Sequence, residues 1–112
     1  MNDRILINVA WLIGSPLCIS IEDGQKVFDK VESLLKTDKK VIISFNDVTF
    51  LIPVFLNVAI GQLYSRFSED TIRSMVSVEG LSVDDINNLK LVIDNAKKYF
   101  NKVVIENELK WV

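Results

Sequence analysis

Residues 41–64, VIISFNDVTFLIPVFLNVAIGQLY, decide how this chain is read. Val41–Phe45 is apolar except for Ser44, the composition of a strand covered on both faces. Asn46 and Asp47 are turn formers. Pro53 suits the first turn of a helix, where its missing N–H has no intrahelical partner. From about residue 53 to 67, Leu56, Ala59, Ile60, Leu63, Tyr64 and Phe67 recur at steps of three and four, which predicts one apolar helix face. Phe55 and Val58 fall off that stripe. Either the helix is buried on both sides, or they form an exposed apolar patch that docks a partner or a second copy, framed by Asn46, Asp47 and Asn57. The junction carries no His, Lys, catalytic Cys or carboxylate pair. Binding is therefore the better reading than catalysis.

Outward from this stretch, Arg4–Leu12 reads as a strand, Gly14-Ser15-Pro16 as a turn and Leu17–Ile21 as a second strand, together a hairpin. Ser20 or Asp23 caps a helix whose apolar stripe is Val27, Phe28, Val31, Leu34 and Leu35. Ser68-Glu69-Asp70 starts one extra turn, and Met75–Val78 is a short fourth strand. Ser82 with Asp85 three residues on opens a further helix ending near Asn101, lined by Ile86, Leu89, Ile93, Ala96 and Phe100. Val103–Ile105 reads as a fifth strand, and Glu106–Val112 as an ambiguous tail. The order is ββαβαβαβ, in which alternating helices and strands predict parallel crossovers.

At 112 residues the chain is one domain, 1–112, long enough for a real core. An apolar fraction of 49% with 25% charged residues is that of an ordinary globular protein. Thirteen basic and fifteen acidic residues leave a net charge of −2, and the lysines group at helix ends, so nucleic-acid binding is unsupported. A single cysteine, Cys18, excludes an internal disulfide framework and fits a reducing compartment; within a strand it reads as a small core residue. The absence of histidine removes the commonest metal ligand and general base. Gly14, Gly24, Gly61 and Gly80 are scattered, so no phosphate loop exists. The carboxylate pairs Asp84/Asp85 and Glu69/Asp70 sit at predicted helix starts as dipole partners. Trp11 reads as core, and Trp111 as packed on its own chain or anchoring a partner. The run Ile5–Ile13 is too short and too polar for a signal peptide, and no stretch approaches the roughly 20 apolar residues of a membrane helix, so a cytoplasmic chain is expected.

Phe45, Val48 and Phe50, followed by Phe55-Leu56-Asn57 and Ala59-Ile60-Gly61-Gln62-Leu63-Tyr64, form one motif. Gly80-Leu81-Ser82-Val83-Asp84-Asp85, continuing to Val92–Ala96 and Tyr99-Phe100, forms a second. In this order they resemble a STAS-like family of unknown function, related to the STAS domains of bacterial anti-anti-sigma factors, over roughly Ile19 to Phe100. The resemblance implies a STAS-like α/β fold, a mixed sheet of about five strands with three helices. It also implies regulation by protein binding, with a histidine-kinase-type ATPase or a sigma-factor regulator as partner. Anti-anti-sigma factors place a phosphorylatable Ser within an Asp-Ser-Ser-Gly-like turn at the start of the central helix. Here those positions fall on Ile52, Pro53, Val54 and Phe55, none of which matches, so the phosphate charge switch is missing.

The expectation is a non-enzymatic binding domain without cofactor, metal or catalytic residues. Its partner surface is Asn46, Asp47, Pro53, Val54, Phe55, Asn57 and Val58. A homodimer or assembly subunit using the same surface is the alternative, and a small enzyme or nucleotide-binding protein the least favoured reading.

Overall fold

Five-residue aliphatic segments at the start and centre of the chain pair as parallel strands. In the computed structural model, which describes residues 4–109, β1 (Arg4–Asn8) pairs with β3 (Lys40–Ser44), and β3 with β5 (Val76–Glu79). Both steps cross the sheet in the same direction, so right-handed crossovers place both connections on one face. The burial pattern agrees. Ile7, Val41 and Ile43 point into the core, with Val76 and Val78 partly buried beside them. On the opposite face Leu6 is 54% exposed and Ser77 is exposed, with Ile42 half-buried between them. The expectation that Val41–Phe45 is covered on both faces is therefore corrected along most of its length. Only at its end, in Ser44 and Phe45, does burial become complete.

The predicted hairpin does not form. The Asn8 side chain accepts the Trp11 N–H at 3.0 Å and caps a single helical turn, α1 (Val9–Ile13), which Gly14 ends in the left-handed conformation. Trp11 then points outward, 83% exposed, and is not the core residue expected. The next strand, β2 (Leu17–Cys18), pairs in parallel with β4 (Phe50–Leu51) as a separate two-stranded sheet. The sheet read as one mixed unit is thus two small parallel ones.

Helix α2 (Ile21–Lys36) starts at Ser20, whose hydroxyl accepts the Asp23 N–H at 3.0 Å, and buries Val27, Phe28, Val31 and Leu35. Helix α3 (Pro53–Ala59) is shorter than predicted and passes into a 3-10 turn, Gly61–Ser65. The Gln62 side-chain amide donates to the Val58 carbonyl at 2.8 Å, occupying the acceptor that a continued α-helix would offer the Gln62 backbone N–H. Ser68 caps a two-turn helix, α4 (Glu69–Met75), in place of the single turn expected. Helix α5 (Val83–Leu109) absorbs the predicted fifth strand. No Gly or Pro interrupts residues 83–109, so the β-branched run Val103–Ile105 continues the helix. Among the described residues five α-helices replace the three expected. Among the described residues no helix is long and apolar enough to cross a membrane.

Cys18, Phe28, Phe55, Leu56, Ala59 and Leu63 join the sheet residues in one core. Because Leu63 is fully buried, Leu63→Ala should cost about 3 kcal/mol through lost burial and the cavity left behind. Lys30→Ala, on the exposed side of α2, should stay within about 0.5 kcal/mol. Denaturant midpoints for the two variants measure the contrast, and equal small shifts would refute the assigned packing of the 3-10 turn.

Candidate functional site

The carboxyl ends of parallel strands are where open α/β sheets gather their working residues. Here those ends carry short polar side chains, locked together. Asn8 at the end of β1 donates to Asp47 at 2.7 Å, and Asn46 donates to Glu79 at the end of β5 at 3.0 Å. The Phe45 N–H reaches the Glu79 carbonyl at 2.9 Å, extending the β3–β5 ladder by one bond. Asn46 and Asp47 thus have a local structural task, although both remain exposed.

Beside this loop lies an apolar surface built by β2 and β4. Leu17 and Phe50 are partners in register, 42% and 56% exposed. The Ile52 N–H donates to the Cys18 carbonyl at 3.1 Å, keeping the segments beyond the two strands side by side. Those segments bring up Ile19, Ile21 and Val54, all exposed. A cleft of about 240 Å³ opens against Phe50, lined also by Phe45, Val48, Gly80, Leu81 and Asp85. Pro53 lies at the exposed start of α3, and neither it nor the capping Ile52 offers a hydroxyl or carboxylate there.

The seven residues expected to bind a partner do not form one surface. Pro53 and Val54 are exposed at the rim of the apolar surface. Phe55 is fully buried, so the core reading applies to it and its place on a docking surface is corrected. Helix α3 packs against α2 on one side and α5 on the other, and both of its long sides must be apolar. Val58 is half-buried against Gly24 of α2. Asn57 lines a different groove, of about 320 Å³, with Gly61, Gln62, Asn95, Tyr99 and Phe100. Leu17 and Phe50 were outside the expected set. The available signal was an aromatic residue, Phe50, inside an otherwise turn-like segment.

Cys18 is buried, and its thiol is pushed up to about 12, chiefly by burial and further by the Asp23 carboxylate, which leaves no thiolate at neutral pH. Glu69 accepts from Arg73 at 2.6 Å and pairs with Lys97 at 3.0 Å, tying α4 to α5. The Lys97 hydrogen bond holds the Glu69 carboxyl below its ordinary range. Among the described residues no three His, Cys, Asp or Glu side chains are grouped so as to hold a metal ion. The arrangement offers an apolar surface with a polar hydrogen-bonded border.

No curated protein and no solved structure matches the chain. A family model, described as a STAS-like domain of unknown function (DUF4325), matches residues 23–85, from the first turn of α2 to the first turn of α5, and the chain belongs to that family.

Proposed function

We propose that this domain acts by binding a regulatory protein partner, without catalysis, through the apolar surface of Leu17, Phe50 and Val54 and its Asn46/Asp47 border. The observation that carries the reading is the exposure of Phe50 and Leu17 as a registered pair beside the start of α3. A monomeric domain rarely leaves such a patch open unless it meets another molecule. The resemblance to the STAS domains of anti-anti-sigma factors favours a histidine-kinase-type ATPase, or a sigma-factor regulator working with one, as the partner. With Ile52, Pro53 and Val54 where related domains place a phospho-acceptor turn, binding is constitutive and is set by partner abundance.

Affinity capture with the wild-type domain, followed by titration calorimetry on the recovered partner, tests this. Phe50→Asp should weaken the complex by about thirtyfold or more, because it places an unpaired charge at the centre of the patch. Circular dichroism should show an unchanged fold, since Phe50 is half in solvent already. A folded Phe50→Asp variant that binds as tightly as the wild type would remove this surface from the mechanism.

A further inference from the structure

Parallel sheets are almost always covered on both faces. In this domain the helices cover one face of β1–β3–β5, and the other is open at Arg4, Leu6, Lys40, Ser77 and Glu79, half-buried at Asn8 and Ile42, and closed only at Ser44. Its charge is distributed in rows. At the start of the strands Arg4 and Lys40 are register partners on this face, two cations side by side. Like charges directly opposite each other destabilise a strand pair, and no ion pair to either is present among the described residues. The middle row is Leu6, Ile42 and Ser77. At the far end stand Glu79 and, bonded to Asn8, Asp47. Both anions are held by neutral amide donors. One end of the face is positive and the other negative.

We infer that this open face is a self-complementary interface between two copies of the chain. A two-fold axis lying between the faces and perpendicular to the strands runs the two sheets antiparallel. The middle rows then meet each other, burying Leu6 and Ile42 of both copies. The cationic row of each copy meets the anionic end of the other: Arg4 comes opposite Asn8 and the Asp47 bonded to it, and Lys40, opposite Ser44, reaches diagonally to Glu79 one strand away. The alternative axis, along the strands, sets like charge on like and is rejected by repulsion. Three strands of about five residues make a face of roughly 14 by 17 Å, so the contact is small and its dimer weak. The inference uses none of Leu17, Phe50 and Val54 and does not depend on the partner proposed for them, although Asp47 borders both surfaces.

Sedimentation velocity on the whole chain at about 10 µM to about 1 mM spans the range in which small interfaces associate. The wild type should pass from monomer to dimer, and raising the salt should shift it back. Lys40→Glu and Glu79→Lys should each weaken association by about tenfold or more, since the symmetry applies every change twice. The double variant Lys40→Glu with Glu79→Lys should recover dimer, because the pair between positions 40 and 79 is restored with its charges exchanged while Arg4 and Asp47 keep theirs. A wild type that stays monomeric throughout overturns the inference. So do a dimer insensitive to salt, single reversals without effect, or a double variant no better than the singles. The salt series uses only wild-type protein, so it decides even if a reversal impairs folding.

Discussion

Phe55→Asp is expected to yield no folded, soluble domain. The ring is fully buried on α3, where that helix is held between α2 and α5. Truncating such a ring costs about 3–5 kcal/mol by itself. Placing a carboxyl group there without a partner adds about 1–3 kcal/mol or more in desolvation, even when the acid is protonated. The sum approaches the whole stability of a domain of this size, about 5–15 kcal/mol. Phe55→Leu keeps an apolar group in the site and should remain folded with a lowered midpoint. Circular dichroism and light scattering on both variants give the comparison. A soluble, native-like Phe55→Asp protein would mean that the off-stripe side of α3 faces solvent, and would return Phe55 to the docking surface. The contrast with Phe50→Asp separates core from surface within five residues of sequence.

That contrast also shows how far the sequence could be read. Helix α2 was legible because its stripe of Val27, Phe28, Val31, Leu34 and Leu35 is local; of the two candidate caps, Ser20 and Asp23, Ser20 is the one used, and Leu34 is only partly buried. The parallel relation of Val41–Ser44 to Val76–Glu79 followed from alternation of strand and helix. Phe55 was ambiguous for a definite reason. A helix stripe reports one buried side, and whether the other is covered depends on α2 and α5, which meet it from distant parts of the chain. The β2–β4 pair was illegible. Two-residue strands are too short to show a period, and their register rests on non-local bonds such as Thr49 N–H to the Pro16 carbonyl, at 2.8 Å. Val103–Ile105 has the β-branched composition of a strand, but three residues continuing an uninterrupted helical stretch stay helical. At Arg4–Leu12 the correction was available in advance. Asn8 three residues before Trp11, with Gly14 beyond, has the spacing of a cap, a turn of helix and a stop. The surface around Phe50 is not legible locally, because it forms only when Leu17 and Phe50, distant in the chain, come into register.

Gly80→Val should destabilise the domain by about 3–5 kcal/mol, whereas Gly14→Val should cost about 1–2 kcal/mol. Both glycines have positive φ, 84° at Gly80 and 73° at Gly14, so each substitution pays the left-handed backbone penalty. Their surroundings differ. A Cβ on Gly14 meets nothing within 4 Å. A Cβ on Gly80 would stand 2.5 Å from Asn46 Oδ1, 2.7 Å from the Asn46 backbone N and 3.0 Å from its Cα. The side-chain amide can turn away, but the backbone of Asn46 cannot move without breaking bonds on both sides of it. Phe45 N–H to the Glu79 carbonyl and Asn46 to the Glu79 carboxylate would both be lost. The close approach of Gly80 to Asn46 therefore helps to lock the ends of β3 and β5 and shapes the cleft beside Phe50. In Gly80→Val, amide exchange at Phe45 should accelerate along with the fall in denaturation midpoint. In Gly14→Val the midpoint should move a little and Phe45 should stay protected. Equal shifts in the two variants would show that the backbone penalty alone matters, and that the Asn46 loop is soft enough to yield.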